Sequence, residues 1–592
     1  MPKIIPRSYP ENLAQSLVKA GIAPLLARIY TARGISDITQ LETGLARLLP
    51  FTLLKNAQAM AILLADAIAQ KKKLLIVADY DCDGATACAV GLRGLRAFGA
   101  RADFIVPNRF EYGYGLTPEI VRFAHESTPD ILITVDNGIA SVEGVAEANR
   151  LGMQVLVTDH HLPGDTLPDA LCIVNPNQPG CTFPSKNLAG VGVMFYVLLA
   201  LRAELRSRGT FAGENTPLSP SAQRRERDMR SEPNLGNLLD LVALGTVADV
   251  VKLDENNRIL VQQGLLRIRA GRACAGIGAL LQIAKKDRAK VSSYELGFVV
   301  GPRLNAAGRL EDMGLGIACL LTDDSAEAAQ MAEKLDALNR ERRSIEADMQ
   351  EAALAALEHI NPSDSFSLAM FDETWHQGVI GILASRLKDK FHRPVIAFAR
   401  AQPGELKGSG RSIPGLHLRD ALDLLSKRHP HLLQKFGGHA MAAGVSILEQ
   451  HFDEFQSAFE AIAQSLLSPA DLTRIIETDG VLSAADFTVD IARSLEQQVW
   501  GQGFPQPLFD GEFAVQSQRV VGEKHLKLSL SPVADSTNRA TFDAIRFFSA
   551  DPMPQRIRAA YKLALNEYNS KTTLQLIIEH WEAVPSTSSV QV

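Results

Sequence analysis

Cysteine is scarce and unpatterned in this chain: Cys82, Cys88, Cys172, Cys181, Cys274 and Cys319 are the only six in 592 residues, and no CxxC pair occurs. That excludes a disulfide framework, which a chain of this length does not need. Long hydrophobic runs are missing as well. The opening residues, MPKIIPRSYPENLAQ, hold no apolar core of signal-peptide length, and no later stretch approaches the ~20 apolar residues of a membrane span. The expectation is a soluble cytoplasmic chain with reduced thiols and no membrane partner. Excess positive charge is also absent. With a net charge of −6 and a pI of about 6.2, a polyanion can be held only by local patches. Carboxylates that bind metal ions would lower the global count without contradicting a phosphate ligand, because the ions invert the local field.

What is present is ordinary globular composition, 46% hydrophobic and 22% charged. A prior of ~150 residues per domain suggests about four units. Residues 1–70 read as helical packing, with amphipathic stretches at Ser36 to Leu49 and Lys55 to Gln70. From Lys73 short β-rich runs (LLIVAD, ADFIVP, DILITVD, QVLVTD) alternate with helical segments, the pattern of βαβ units and a parallel sheet over 71–324. A Pro-, Ser- and charge-rich stretch within 205–235 reads as an exposed insertion. Residues 325–360 carry apolar positions at helical spacing without Gly or Pro and predict a long connecting helix. A smaller α/β unit is expected over 361–465, and several short strands over 470–585 suggest a β-barrel.

The chemistry-bearing residues gather at strand ends. In LLIVADYDCDG, Asp79, Asp81 and Asp83 alternate, and on an extended segment residues two apart point the same way. Three converging carboxylates raise one another's pKa unless cations neutralise them, and oxygen donors suit Mg²⁺ or Mn²⁺. Alone, such a pattern is better explained by a solvated acidic turn. Asp136, however, ends ILITVD, and Asp159-His160-His161 follows QVLVT. The carboxyl ends of parallel strands form one ligand crevice, so independent strands deliver these groups to one place. Asp249 in LGTVADVV adds a further carboxylate.

DYDCDG, VDNG, TDHH and GTVAD match, in order, the four motifs of the DHH phosphoesterase superfamily. GPRLNAAGRL (Arg303, Asn305, Arg309) and the entry WGQGFPQPLF narrow the resemblance to the RecJ exonucleases. WHQGVIGILASRL (His376), GSGRSIPGLHLRDAL (Ser409, Arg411) and KFGGHAMAAG (His439) resemble the DHHA1 substrate-binding module. The fold implied is α/β: a parallel-sheet DHH domain joined by a long helix to a smaller α/β DHHA1 domain, followed by a β-barrel OB-like domain.

The resemblance implies a two-metal site holding Mn²⁺ or Mg²⁺, with Asp136 bridging the ions and Asp79, Asp81, Asp83, His160 and Asp249 as further ligands. Many relatives carry a histidine two residues before the first aspartate, where this chain has Val77. His161 is the candidate to contact the scissile phosphate or assist proton transfer; orienting a metal-bound carboxylate is its other reading. Arg109 in NRFEYGYG, together with Arg303, Asn305, Arg309, His376, Ser409, Arg411 and His439, is expected on the nucleic acid. Lys524, Lys527, Arg546 and Lys562 are candidates to line a single-strand groove.

The implied activity is 5′ to 3′ degradation of single-stranded DNA to 5′-mononucleotides in recombination and repair. A monomer working with single-strand-binding protein and a RecQ-type helicase is the implied setting. A cleft between two domains would admit single strands and exclude duplex. A small-substrate phosphodiesterase, a pyrophosphatase and a degenerate replication scaffold are the alternatives. The first two need no C-terminal barrel, and the third should have lost its metal ligands.

Overall fold

The computed structural model describes residues 2–107, 115–211, 231–357, 365–533, 540–568 and 571–584. The chain opens with strand β1 (Lys3–Pro6) and helices α1 (Glu11–Lys19) and α2 (Pro24–Thr31). Pro24 suits the first position of α2, where its missing N–H is not needed. Ser36 to Leu49 does not form the amphipathic helix expected. It makes two 3-10 turns, Ile38–Leu41 and Leu45–Arg47, because Asp37 and Gln40 close a capping box on the first and Gly44 starts the second. Helix α3 (Ala57–Ala69) follows.

The first sheet contains β2 (Lys73–Ala78), β3 (Arg101–Ile105), β4 (Ile131–Val135), β5 (Gln154–Thr158) and β6 (Cys172–Val174). Its order is β3-β2-β4-β5-β6 and every pairing is parallel. Helices α4 (Cys82–Ala97), α5 (Pro118–His125) and α6 (Val142–Arg150) make crossovers, and α7 (Gly190–Ser207) adds a largely buried layer. Strands covered on both faces read as unbroken apolar runs, and all five residues of β4 are buried. Helices α8 (Leu239–Ala248), α9 (Glu255–Arg269), α10 (Ala275–Ile283), α11 (Gly301–Leu310) and α12 (Gly314–Leu321) complete this unit. The middle of the expected insertion, 212–230, lies outside the described residues.

Helix α13 (Ser325–Leu357) runs 33 residues, about 50 Å at 1.5 Å per residue. Ala332 and Leu335 bury its first half against the first unit, and Met349, Ala353 and Leu357 bury its second half against the next. The end of the expected helix, 358–360, is outside the described residues. The second unit holds β7 (Leu368–Phe371), α14 (Ile380–Phe391), β8 (Val395–Gln402), β9 (Glu405–Arg411), α15 (Leu418–Arg428), β10 (Lys435–Gly438), β11 (Ala442–Leu448) and α16 (Phe452–Leu466). Its sheet order is β10-β11-β9-β8-β7.

After β12 (Ile475–Thr478) and α17 (Val489–Glu496), five strands close into a barrel: β13 (Phe509–Val521), β14 (His525–Pro532), β15 (Phe542–Arg546), β16 (Arg556–Tyr568) and β17 (Lys571–Ala583). The order is β13-β14-β15-β17-β16. The architecture anticipated from the sequence, parallel sheet, long helix, small α/β unit and barrel, is the one observed. No single helix among the described residues is long and apolar enough to cross a membrane.

The chain's beginning is bound to this last unit. β1 pairs in parallel with β12, and Arg33 grips Asp479 through Nη1–Oδ1 at 2.6 Å and Nη2–Oδ2 at 2.9 Å. Both side chains are 1% exposed. Arg33 Nε donates to the Pro505 carbonyl, and the guanidinium lies over the Trp500 ring. Removing one partner of a buried pair strands the other charge, at a cost of ~3–5 kcal/mol. Asp479→Ala and Asp479→Asn are therefore both expected to lower the urea midpoint followed by tryptophan fluorescence, the alanine more because it also loses the hydrogen-bond acceptor. Equal midpoints for both variants and the parent would show that the pair adds no stability.

Candidate metal centre

The acidic residues meet where β2, β4 and β5 end. β2 stops at Ala78, and α4 starts at Cys82. The alternating aspartates are thus carried by a strand-to-helix turn, not by the extended segment expected. Asp81 caps α4, its Oδ1 accepting from the N–H of Asp83 (2.9 Å) and Gly84 (3.0 Å). Gly84 is required by close approach, since a Cβ there would stand 2.5 Å from the Asp79 carbonyl oxygen. Asp83, in the first turn of α4, accepts from the N–H of Gly190 (2.6 Å) and Val191 (2.9 Å) at the start of α7. A helix N-terminus favours that negative charge.

Asp136 follows β4 at φ 62, a conformation a non-glycine residue adopts at a cost and typically at functional sites. A Cβ on Gly190 would come within 2.5 Å of its Oδ1. Asp159, after β5, is wholly committed: Oδ2 accepts from the Ile139 N–H, and Oδ1 from the N–H of His160 and His161 and from His161 Nδ1 at 2.7 Å. His160 Nε2 lies 3.1 Å from Asp136 Oδ1 and 3.5 Å from Asp249 Oδ2.

These three atoms, Asp136 Oδ1, His160 Nε2 and Asp249 Oδ2, are buried without a hydrogen-bond partner among the described residues. Buried polar atoms are rarely left so, and a bound cation would satisfy all three. Ligand atoms gather within 4.8 Å in three overlapping sets: Asp79, Asp81 and Asp136; Asp83, His160 and Asp249; Asp136, His160 and His161. The donors are hard oxygens with one or two imidazoles, a set that fits Mg²⁺ or Mn²⁺. Asp136, common to two sets, stands where a bridging ligand would.

The electrostatics agree. Burial, then the neighbouring carboxylates, holds Asp79, Asp136 and Asp249 well above the usual carboxylate range. Burial and Asp81 push Asp83 up to about 7. Burial, then the charge of His161, lowers His160 to about 4, leaving the neutral imidazole a metal needs. His161 is the opposite case: burial opposes its charge, but the hydrogen bond and charge of Asp159 raise it to about 9.

Val77, where the resemblance implies a histidine, is 1% exposed and packs with Leu75 and Leu132. It supplies no donor. The substrate-contact expectations divide. Arg303 does not face the centre: its guanidinium holds Asp336 at 2.9 Å and the Val299 carbonyl at 2.7 Å, tying α11 to α13. Asn305 Oδ1 accepts from the Cys82 N–H at 2.8 Å, so it braces the acidic turn. A Cβ on Gly308 would stand 1.9 Å from the Tyr80 carbonyl oxygen, which brings α11 onto the same turn. Among the described residues both side chains are engaged within the protein, Arg303 on α13 and Asn305 on the acidic turn.

Arg309 reaches the second unit, Nη1 lying 3.5 Å from the Gly378 carbonyl, and His376 Nδ1 accepts from the Gly378 N–H. On β9, Arg411 donates to Ser409 Oγ, and a Cβ on Gly381 would sit 3.1 Å from Arg411 Nη2 and 3.0 Å from Ser409 Oγ. Arginine, hydroxyl and the N-terminus of α14 therefore adjoin. Burial lowers the Arg411 pKa, with no carboxylate opposing it among the described residues. Burial, then the charge of His161, also lowers His439, so the second unit stands within electrostatic reach of the metal centre. Arg109 lies outside the described residues. In the barrel, Lys527 and Lys562 pair with Asp543 and Glu579.

Sequence reasoning missed the work of Asp159, which orients His161, and of Asn137, whose Nδ2 joins the Val77 and Val135 carbonyls at the ends of β2 and β4. The VDNG and TDHH motifs contained both residues. Only the fold shows what they hold.

Three family models match: "DHH family, N-terminal domain" over 73–246, "DHHA1 domain" over 364–465 and "RecJ OB domain" over 478–580. The chain is 48% identical over 574 residues to the single-stranded-DNA-specific exonuclease RecJ of Dickeya dadantii, covering 96% of this chain and 97% of that one. Identity to the protein of the same name from Escherichia coli is 48% over 568 residues, covering 95% and 96%. Among solved structures, RecJ of Thermus thermophilus in complex with Mn²⁺ superposes with a TM-score of 0.80 at 29% identity, covering 99% of this chain and 80% of that one. The Mg²⁺ complex of the same protein gives 0.75 at 27%, covering 99% and 78%.

Proposed function

Because the chain belongs to the RecJ family of single-stranded-DNA-specific exonucleases, we propose that it removes 5′-mononucleotides from the 5′ end of single-stranded DNA, in recombination and repair. The observation that carries this reading is the set of three buried, unpartnered atoms on Asp136, His160 and Asp249, closed in by Asp79, Asp81 and Asp83.

Asp79, Asp81 and Asp136 would hold one divalent ion, and Asp83, His160 and Asp249 the other, with Asp136 between them. Two such ions supply Lewis acidity to a phosphodiester and lower the pKa of an attacking water. The chain's own groups do the rest. Asp159 keeps the His161 ring oriented and cationic. With Nδ1 engaged, hydrogen bonding to a phosphate oxygen or proton delivery to the departing 3′ oxygen falls to Nε2. Ser409, Arg411, His376 and His439 would take backbone phosphates from the second unit, so that strand and centre are fixed before reaction. We place the enzyme in the cytoplasm as a monomer, with single-strand-binding protein and a RecQ-type helicase as partners.

The test is digestion of 5′-labelled and 3′-labelled single strands with Mn²⁺ or Mg²⁺. Release of the 5′ label first, dependent on metal, is expected, with a blunt duplex resistant. Intact DNA beside rapid hydrolysis of dinucleotides would replace this reading with the small-substrate one.

A further inference from the structure

Immediately before α11, Leu296–Val300 winds as a π-turn, a rare geometry that concentrates at functional sites. Its inner side is pressed onto the last turn of α8. A Cβ on Gly297 would stand 3.2 Å from Val247 Cγ1, and one on Gly301 3.2 Å from Ala248 Cβ. The residue after Ala248 is Asp249. The outer side of the turn carries Phe298, which stacks on Tyr294 with ring centroids 5.0 Å apart and 27° between planes. Neither ring covers a core: Phe298 is 66% exposed and Tyr294 58%. Val250, next after Asp249, is itself 63% exposed and held at φ 60. A β-branched residue is a genuine outlier there.

The barrel's entry loop approaches the same surface from the other side. Ser293, beside Tyr294, donates its hydroxyl to the Trp500 carbonyl, the Leu253 N–H donates to the Gln502 carbonyl, and Gly503 sits against Lys252. The aromatic pair therefore lies between the end of α8 that bears Asp249 and the barrel, on backbone fixed by packing on both flanks. Single exposed apolar residues are ordinary on a protein surface. A stacked pair, fixed on its backbone and beside a metal ligand, instead has the form of the aromatic platforms on which nucleobases stack whatever their identity.

We propose that Tyr294 and Phe298 form a base-stacking platform for the single strand as it passes between barrel and metal centre. The proposal rests on the nuclease reading and adds to it a site for the bases, which the carboxylates and the Ser409–Arg411 region do not provide. The exposed ammonium of Lys252 is placed to follow the backbone beside it.

The test is binding of a fluorescent oligo(dT) 20-mer to the full chain in EDTA, by anisotropy. Tyr294→Ala/Phe298→Ala is expected to weaken it about 10-fold or more, the range for loss of one to two stacked bases. Phe298→Trp is expected to keep the affinity, and its added tryptophan emission to be quenched by the oligonucleotide. Circular dichroism checks that each variant is folded. If the double variant binds as tightly as the parent while the parent degrades single strands, the platform is wrong and the nuclease reading stands. If the parent binds with the expected dependence on both rings but releases no nucleotide, the nuclease reading fails and the platform stands. A change of oligomeric state on light scattering, with DNA affinity unaltered, would instead mark the pair as a contact between copies and overturn the proposal.

Discussion

Asp136→Ala is expected to abolish metal-dependent release of nucleotides, with kcat lower by at least about 10³-fold, or about 4 kcal/mol of lost transition-state stabilisation. The residue belongs to two of the three ligand sets, and on the proposed assignment, with Asp136 between the two ions, its loss would disturb both. A second readout separates this from misfolding. Without metal, Asp79, Asp83, Asp136 and Asp249 are buried against one another and their pKa values are raised, Asp83 to about 7. The folded chain then binds more protons than the unfolded one, whose carboxylates titrate near ~4. The stability these groups contribute is therefore full below that range and is lost as pH rises through their raised folded-state values, which for Asp83 means through about 7. Mn²⁺ should raise Tm more at pH 8 than at pH 5.5, and metal-free Asp136→Asn should melt above the metal-free parent at pH 8. A metal-free Asp136→Asn chain that melts lower, with Mn²⁺ shifting both proteins equally, would count against the site.

His161→Ala is expected to lower kcat by ~10²–10⁴-fold, the usual span for a positioned acid or base, while Mn²⁺ binding measured by calorimetry persists. Asp159→Asn tests how the ring is held. Asp159 accepts from His161 Nδ1 at 2.7 Å and its charge keeps the imidazolium near a pKa of about 9. With a neutral amide there, the basic limb of the pH–rate profile should move to lower pH. Were His161 only a support for a metal-bound carboxylate, the limb would stay in place and Mn²⁺ affinity would fall instead.

The parallel sheet and its acidic strand ends were legible because burial on both faces writes strands as apolar runs, and DYD, VDNG and TDHH stand where those runs stop. The barrel was legible from alternation, as in HLKLSLSP, whose buried and half-buried positions alternate along β14. Partnership was not legible. Arg303 in a glycine-flanked motif reads as a phosphate ligand, yet its carboxylate, Asp336, lies 33 residues on in a different helix. Asn305 gave no local sign that it would face the Cys82 N–H, 223 residues away. Periodicity records which face is buried, but hydrogen-bond pairing across the fold leaves no period.

β1 is the extreme case, a four-residue strand ending in proline whose partner Ile475–Thr478 closes a loop of some 470 residues. On the ribosome this matters in time. At ~5–20 residues per second, roughly 25–95 s separate the synthesis of the two strands. Ile4 and Ile5 must spend that interval without their sheet, while the catalytic unit behind them can already have folded. The last unit to be made thus captures the first segment, so a ribosome that stalls before Ile475 would leave a finished metal centre with its leading strand still undocked.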